Sequence, residues 1–535
     1  MTMNPQRYDY PSRRRVVYGT HGMVCASQPL AANAGLDMLK KGGNAVDAAI
    51  AAAITLTVTE PTSNGIGSDT FALVWMNDSL HGLNGSGWSP AEISLEKVRA
   101  MGYETMPERG WTPVNIPGTP SAWYELSAKF GKLPFAELFA PAIDYARNGY
   151  PVSPVIARLW NNQFKQFSRE LKAECFRPWF DTFAQGGRTP EPGEVWRCPH
   201  MADTLEILAN TGCADFYHGA LAKKMDAFSR EHGGFLQADD LAGYKAVWVD
   251  PISVHYKGYE VWELPPNGHG LVVLMMLNML RNDKFSGHDD IDTIHRQLEA
   301  MKLSFADGQK YITDPRVMRR SVEQLLSPDY ADRRRALIGD TARPPVAGDP
   351  ACGGTIYLTT ADSEGGMVSL IQSNYRGFGS GIVIPGTGIS LNDRGYSYSL
   401  DPNDDNCLAP SKRPYHTIIP GFLTRDGRAV GPFGVMGEYM QPQGQVQVVM
   451  NTIDFDMNPQ CALDAPRWQW VGGMKIEVEP GFPQHLVEEL AARGHQISIA
   501  PNSLSFGRGQ IIWRDENGTL CGATEPRTDG TVAAY

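Results

Sequence analysis

The first part of the chain repeats apolar residues at helical spacing and then at strand spacing. This pattern predicts a helix over residues 29–40 and a second helix over 45–57. Asn44 is a suitable cap for the second helix, and Asp47 places a carboxylate near its first exposed amides. The second helix is so rich in alanine and isoleucine that we expect it to be buried on most faces. A glycine-rich turn then leads to a predicted strand over 70–75.

Later segments add more of both elements. Helical spacing is found over 271–280 and 291–309, whereas strand patterns dominate after residue 350. A weakly patterned stretch rich in arginine and proline, 333–350, is the best candidate for a linker between two halves. Paired strands with covering helices indicate an α+β fold, in which layered sheets lie between helices. The strands predicted in the later segments, from residue 256 onward, are 256–262, 354–360, 367–373, 417–424 and 475–478.

Composition describes an ordinary globular protein and excludes several classes of partner. The 535 residues exceed the size at which a single core stops growing, so we expect two units or one large layered fold. The formal net charge of −11 gives no electrostatic reason to bind nucleic acid or an anionic membrane. No apolar run approaches the roughly 20 residues of a membrane span, and the first residues show no secretory signal. We therefore expect a cytoplasmic protein.

The cysteine pattern gives no metal site. The eight cysteines are scattered, with no C-x-x-C pair and no Cys/His ligand spacing. The chain also lacks a phosphate-binding loop, and its glycine runs do not match a dinucleotide-binding motif. We expect free thiols, no metal and no other cofactor.

The most informative candidate for chemistry is Thr355, which opens a predicted strand after two glycines. If the peptide bond between Gly354 and Thr355 were broken, Thr355 would carry a free α-amino group beside its own hydroxyl. Nucleophile and base would then lie on one residue, which is one of the ways to activate threonine. Cys352 is a rival nucleophile, and an ordinary β-branched strand residue is the plain alternative for Thr355.

A series of short motifs in fixed order resembles the γ-glutamyltranspeptidase family of N-terminal-nucleophile hydrolases. One such motif would mean little, but the series covers nearly the whole chain. The matching segments are 42–49, 60–61, 65–67, 117–119, 133–142, 305–307, 314–315, 412–414, 464–467 and 525–530.

The resemblance implies a proenzyme that cuts itself before Thr355 into a large subunit, 1–354, and a small subunit, 355–535. It implies an αββα fold and a heterodimer of processed subunits that can dimerise again. In this family the threonine hydroxyl attacks an amide carbonyl, the α-amine relays the proton, and water or an amine resolves the acyl-enzyme. Gly354 lets the hydroxyl approach its own preceding carbonyl without a Cβ clash.

The resemblance also implies supporting residues. Ser373 stands where the family has a hydroxyl that supports the nucleophile. The backbone N–H groups of Gly437 and Glu438 correspond to the oxyanion hole, the pair of amides that binds the negative oxygen of the intermediate. Asn374 and Tyr375 follow Ser373 and are expected to line the substrate pocket.

The predicted substrate pocket departs from the family pattern. Transpeptidases that act on glutathione hold the substrate α-carboxylate with an arginine, but the matching segment 86–90 has none. Around Ser397 only hydroxyls stand where the family has an aspartate for the α-amino group. Losing the bidentate clamp should weaken binding of a free amino-acid head. Arg376 is the predicted replacement that grips a small carboxylate, with Arg394 as second candidate. His269 could line the pocket or lie in solvent.

These departures resemble the branch of the family that hydrolyses amides of small acids. We expect a self-cleaving threonine amidohydrolase whose substrate carries a carboxylate, with oxamate as the example. The alternatives are a γ-glutamyl hydrolase or transferase, an acylase acting on a dicarboxylic side chain, and an unprocessed relative without enzymatic activity.

Overall fold

The computed structural model describes residues 14–345 and 356–535. Within these ranges the strands are β1 (Val17–Gly19), β2 (Gly22–Ala26), β3 (Asp69–Met76), β4 (Ser79–Gly85), β5 (Tyr150–Pro151), β6 (Val195–Trp196), β7 (Val247–Val249), β8 (Ile252–Tyr256), β9 (Tyr259–Glu263), β10 (Ile356–Asp362), β11 (Met367–Ser373), β12 (Gly421–Arg425), β13 (Arg428–Met436), β14 (Trp468–Gly472), β15 (Lys475–Val478), β16 (Gln496–Ile499), β17 (Arg508–Arg514), β18 (Leu520–Thr524) and β19 (Thr531–Ala534).

The α-helices of the same ranges are α1 (Pro29–Lys40), α2 (Ala45–Thr59), α3 (Leu95–Ala100), α4 (Thr119–Phe130), α5 (Ala140–Asn148), α6 (Pro154–Glu170), α7 (Arg177–Phe183), α8 (Pro199–Thr211), α9 (Ala214–His218), α10 (Ala220–Glu231), α11 (Ala238–Ala242), α12 (Gly270–Leu280), α13 (Ile291–Tyr311), α14 (Val322–Leu325), α15 (Pro328–Arg335), α16 (Met440–Ile453), α17 (Pro459–Asp464) and α18 (Gln484–Ala492). Short 3₁₀ helices cover Phe135–Phe139, Glu174–Phe176, Gln185–Gly187 and Arg394–Ser397. None of these helices is long and apolar enough to cross a membrane.

Two seven-stranded sheets form the centre of the molecule. In spatial order, one sheet is β1-β18-β17-β13-β12-β9-β8, and the other is β19-β2-β10-β11-β3-β4-β7. The two sheets pack against each other, with β10 lying on β13 and β17. Side chains of both inner faces fill the space between them, and residues such as Phe71, Tyr357 and Phe422 form one buried cluster there.

Helices cover the outer face of each sheet. α1 and α2 lie on the sheet that contains β10, whereas α12 and α16 lie on the other sheet. α2 is buried along its whole length, as its composition predicts. Asn44 caps it by accepting hydrogen bonds from the amides of Val46 and Asp47, and the Asp47 carboxylate accepts one from the Asn44 amide. The four layers confirm the predicted αββα fold.

Both predicted subunits contribute strands to both sheets. In one sheet β10 lies between β2 and β11, so strands from before and after residue 355 are hydrogen-bonded neighbours. In the other sheet β12 pairs with β9 in the same way. The segments 1–354 and 355–535 therefore share one folded body. The boundary between Gly354 and Thr355 lies outside the described residues and stays a prediction.

Three sequence predictions need correction. The strand 256–262 is wrong, because β8 and β9 are separate strands joined by a turn in which Lys257 and Gly258 have φ of 48° and 91°. The linker 333–350 begins inside α15, and its residues 346–350 lie outside the described ranges. The strand 417–424 starts only at Gly421.

Candidate active site

The candidate site lies where β11 ends. Ile356, the first described residue of its range, pairs with Gln372, and Ser373 follows as the last residue of β11, paired with Asp69 of β3. Ser373 is fully buried, and its Oγ accepts a hydrogen bond of 2.8 Å from the amide of Tyr375. The sequence-predicted Gly354 and Thr355, like Cys352, lie outside the described residues.

A tight turn connects β13 to α16, and we call residues 436–440 the oxyanion loop. Gly437 and Glu438 have positive φ values of 140° and 49°. Their carbonyl oxygens accept hydrogen bonds of 2.9 and 3.0 Å from the amides of Met440 and Gln441. The two candidate oxyanion amides thus precede the first turn of a 14-residue helix, whose N-terminus favours negative charge.

The Glu438 side chain is fully buried beside this turn. Neither carboxyl oxygen has a hydrogen-bond partner among the described residues. Burial raises the pKa of Glu438 well above its usual range, although Arg376 acts in the opposite direction. Burial thus favours the neutral form of this carboxyl, which would keep a second negative charge away from the candidate oxyanion hole.

Arg376 lies near Glu438 but forms no hydrogen bond with it. Its Nε lies 3.9 Å from Glu438 Oε1, and its Nη1 lies 3.8 Å from Glu108 Oε2. Both distances are too long for hydrogen bonds. Nε and Nη2 have no hydrogen-bond partner within residues 14–345 and 356–535, although the side chain is only 15% exposed. Cζ stands 4.9 Å from the ring centre of Tyr396, a cation–π distance. Arg376 therefore keeps donors available for an anionic ligand.

Arg394 is held much more tightly. It is fully buried, its Nε lies 3.4 Å from Asp69 Oδ2, and its Nη1 donates a 2.9 Å hydrogen bond to Thr417 Oγ1. Its Cζ stands 4.3 Å from the ring centre of Tyr375. His416 Nε2 lies 2.9 Å from the same Asp69 oxygen. We call Asp69, Arg394, His416 and Thr417 the buried charge cluster.

Burial shifts the pKa values of the titratable groups in the buried charge cluster. Burial raises the pKa of Asp69 to about 6, and Arg394 limits the rise. Burial lowers the pKa of His416 well below its usual range, so this imidazole is neutral at pH 7. Its Nδ1 accepts a hydrogen bond from the Ile418 amide, which leaves the proton on Nε2 to be donated to Asp69.

A second buried carboxyl, Asp393, lies on the other side of Arg376. Its Oδ1 accepts a 3.0 Å hydrogen bond from the Arg376 amide, and Arg109 Nη1 lies 3.4 Å from Oδ2. Burial raises the pKa of Asp393 to about 7, with Arg109 opposing the rise. Asp69 and Asp393 were not predicted as site residues from the sequence. Asp69 had a signal, since it lies two residues after the matching glycine segment 65–67.

Two predicted pocket residues have structural hydrogen bonds in the described chain. Asn374 accepts from Ser68 Oγ at 2.7 Å and donates to Ser390 Oγ at 3.0 Å. Ser397 Oγ lies 2.9 Å from the carbonyl oxygen of Arg394 and 3.0 Å from that of Tyr415. Their roles in binding substrate stay predictions.

Tyr375 and His269 lie deeper than a surface pocket would require. Tyr375 is buried with φ of 85°, and burial raises its pKa well above the usual range. His269 is fully buried, so the solvent-exposed alternative is wrong. Its Nδ1 lies 3.1 Å from Tyr415 Oη, and burial lowers its pKa well below the usual range. Its contact with substrate stays a prediction.

One side-chain cluster has the residue types of a metal site. The candidate ligand atoms of His295, Glu299 and His495 lie within 4.8 Å of one another, and all three residues are buried. The Lys302 ammonium pairs with Glu299 and donates a 2.8 Å hydrogen bond to the Arg343 carbonyl oxygen. The chain thus supplies its own cation here, which disfavours a bound metal ion.

Comparison with known proteins agrees with this geometry. Residues 31–535 match the family model described as Gamma-glutamyltranspeptidase. The chain is 34% identical over 528 residues to the glutathione hydrolase-like YwrD proenzyme of Bacillus subtilis strain 168, which covers 96% of this chain and 99% of that one. It is also 34% identical over 532 residues to the oxamate amidohydrolase proenzyme of Klebsiella pneumoniae, with the same coverage of 96% and 99%.

A solved structure is more similar still. The crystal structure of cephalosporin acylase from Bacillus halodurans superposes with a TM-score of 0.98 and 57% sequence identity, covering 100% of this chain and 99% of that one. These relatives are hydrolases and acylases, which favours an enzyme over a scaffold, and the curated ones are described as proenzymes. The chain belongs to the gamma-glutamyltranspeptidase family of self-processed N-terminal-nucleophile amidohydrolases.

Proposed function

We propose that the chain cleaves itself between Gly354 and Thr355, and that Thr355 then hydrolyses an amide whose acyl part carries a carboxylate. The observation that carries the choice of substrate is the Arg376 guanidinium. It is largely buried, it lies beside the oxyanion loop, and two of its nitrogens have no hydrogen-bond partner among the described residues.

The proposed chemistry follows from having hydroxyl and amine on one residue. The Thr355 α-amine takes the hydroxyl proton while Oγ attacks the amide carbonyl. The Gly437 and Glu438 amides would stabilise the negative oxygen of the tetrahedral intermediate. The α-ammonium then protonates the leaving amine, and water hydrolyses the resulting ester. In self-cleavage the same Oγ attacks the Gly354 carbonyl, the Gly354–Thr355 C–N bond breaks as the hydroxyl proton passes to the Thr355 nitrogen, and water hydrolyses the resulting Gly354 ester. Ser373, next to the Ile356–Gln372 pair, would support the nucleophile.

The charge of the pocket supports a carboxylate in the substrate. Arg376 is positive, whereas burial favours the neutral form of Glu438, the fully buried one of its two carboxyl neighbours. A substrate carboxylate could accept two parallel hydrogen bonds from the Arg376 fork and would satisfy donors that now have no partner. Arg394 is the second candidate. It lies 3.4 Å from Asp69 and donates to Thr417, but its Nε and Nη2 have no hydrogen-bond partner in the described chain.

Two kinds of substrate fit the proposed carboxylate site. Oxamate is the first, because its carboxylate is joined directly to a primary amide and a relative is an oxamate amidohydrolase. A longer dicarboxylic monoamide, such as a glutaryl amide, is the second. The 57% identity to a cephalosporin acylase favours it. A γ-glutamyl amide needs an additional partner for its α-amino group, and the segment that matches the family's aspartate has only Ser397 and its hydroxyl neighbours for this.

A substrate panel tests this proposal. Purified protein and Thr355→Ala are assayed with oxamate, glutaryl-p-nitroanilide and γ-glutamyl-p-nitroanilide. We expect hydrolysis of oxamate or the glutaryl amide, loss of that activity in Thr355→Ala, and slow hydrolysis of the γ-glutamyl amide. Rapid turnover of the γ-glutamyl amide alone would reject the substrate choice. Full activity of Thr355→Ala would reject the nucleophile.

A further inference from the structure

Two charged motifs of the second half lie outside the pocket described above. They are the segments 464–467 and 525–530, and the fold brings Arg467 and Glu525 together. We propose that Arg467 and Glu525 are positioning residues that hold the oxyanion loop in its working geometry. This inference rests on the proposed function of that loop.

The first step is an ion network sealed from water. Arg467 Nη2 donates a 2.8 Å hydrogen bond to Glu525 Oε2, and the side chains of both residues are at most 1% exposed. Arg527 Nη1 donates to Glu525 Oε1 at 2.5 Å, and its Nε donates to Glu479 Oε1 at 2.7 Å. Two arginines and two glutamates therefore compensate each other in a buried place.

The second step leads from the network to the backbone. Arg467 Nη1 donates to the carbonyl oxygens of Phe506 and Gly507, at 2.8 and 3.1 Å. Glu525 Oε2 accepts a 2.7 Å hydrogen bond from the Gly509 amide. The network thus fixes residues 506–509 through three directed hydrogen bonds, at the point where β17 begins.

The third step is the contact between this segment and the oxyanion loop. β17 pairs with β13 up to Arg508 and Met436, so Gly507 lies beside Gly437. A Cβ placed on Gly437 would lie 3.1 Å from Gly507 Cα, and one placed on Gly507 would lie 2.8 Å from the Met436 carbonyl oxygen. The nearest neighbour of Gly437 at this point is thus the backbone of Gly507. A displacement of Gly507 is therefore passed on to Gly437.

The shape of the guanidinium explains why an arginine suits position 467. One planar guanidinium reaches a carboxylate and two carbonyl oxygens at the same time, whereas a lysine ammonium cannot reproduce that fork. Buried ion networks contribute little net stability compared with well-packed apolar residues. Their directed hydrogen bonds do fix geometry, and an oxyanion hole requires donors placed to within a few tenths of an ångström.

The test compares kcat with KM in processed enzyme. Arg467→Lys keeps the positive charge opposite Glu525 but loses the fork. We expect kcat per processed enzyme to fall about 10- to 100-fold on the panel substrate that the wild type hydrolyses, with KM within about twofold. Arg334→Lys is the matched control, since Arg334 also pairs with a largely buried carboxylate, Asp307, at 2.8 Å and donates to a carbonyl oxygen. It should leave kcat unchanged.

A second variant avoids the charge network. Gly507→Ala places a methyl group 2.6 Å from Val435 Cγ1 and 2.8 Å from the Met436 carbonyl oxygen, at a residue with φ of 77°. It should lower kcat in the same way. If Arg467→Lys does not fold, this second variant tests the proposal instead. Unchanged kcat in the folded variants, with an active wild type, would overturn this inference alone. A wild type without Thr355-dependent amide hydrolysis would remove the proposed function and this inference together.

Discussion

The two arginines beside Tyr375 have opposite environments. Arg394 has no exposed surface, donates a 2.9 Å hydrogen bond to Thr417 and lies 3.4 Å from Asp69. The Arg376 side chain is 15% exposed, and the carboxylate oxygens nearest its guanidinium lie at 3.8 and 3.9 Å, too far for hydrogen bonds. A buried arginine with close partners stabilises the folded site. An arginine whose carboxylate neighbours are too far away for hydrogen bonds can bind a ligand instead. We therefore expect Arg394 to be needed for folding and Arg376 for binding.

The largest expected effect comes from removing the buried guanidinium. Arg394→Met leaves Asp69 buried without its cation, which should lower the free energy of unfolding by about 3–5 kcal/mol. Urea unfolding followed by circular dichroism measures this. If Arg394→Met is as stable as the wild type but does not bind substrate, the roles of the two arginines are reversed.

The buried charge cluster should also leave a mark on the pH dependence of stability. The pKa of Asp69 is raised to about 6 in the folded chain, against about 3.9 when unfolded. Between these values the folded state binds the extra proton, so Asp69 makes folding less favourable as the pH rises from about 4 to about 6.

Asp69→Asn removes this contribution. The slope of unfolding free energy against pH should become more positive by up to about 1.4 kcal/mol per pH unit in this interval. Urea unfolding at several pH values gives the slope. Identical slopes in both proteins would show that Asp69 ionises normally in the folded state.

A smaller change is expected at the recognition arginine. Arg376→Met should raise KM for a carboxylate-bearing amide about 10- to 100-fold, which corresponds to the loss of about 1.5–3 kcal/mol of charged hydrogen bonds. Its free energy of unfolding should change by less than about 1 kcal/mol, because no short ion pair is broken. Arg425, which also has its carboxylate neighbour at 3.9 Å but is 59% exposed, gives the matched control Arg425→Met. A KM that does not move would assign carboxylate binding elsewhere.

Much of the fold could be predicted from the sequence because its signals are local. The helix 29–40 and the buried Ala/Ile-rich helix after Asn44 follow from apolar spacing and a cap, and both are confirmed. The strand 256–262 is wrong because a turn through Lys257, with φ of 48°, interrupts a continuous β pattern without a strong sequence signal. The pairing of strands from before and after residue 355 depends on long-range contacts and is invisible to local patterns.

In the candidate site, too, local sequence signals could be predicted and long-range contacts could not. Ser373, Arg376 and the Gly437–Glu438 turn could be named from motif positions alone. The burial of His269 and the partners of Asn374 could not, because they depend on which distant segments cover them. Asp69 and His416 are 347 residues apart in the chain, and only the fold shows that they share a hydrogen bond.

The whole mechanism depends on Thr355 being the residue that cuts the chain and then performs the hydrolysis. Intact mass measurement of the purified protein under denaturing conditions, with Thr355→Ala beside it, tests this. We expect two wild-type polypeptides that meet at Gly354 and Thr355, and one uncut, inactive polypeptide for the variant. A single uncut wild-type chain with full amide hydrolysis, or the same cleavage in Thr355→Ala, would contradict it.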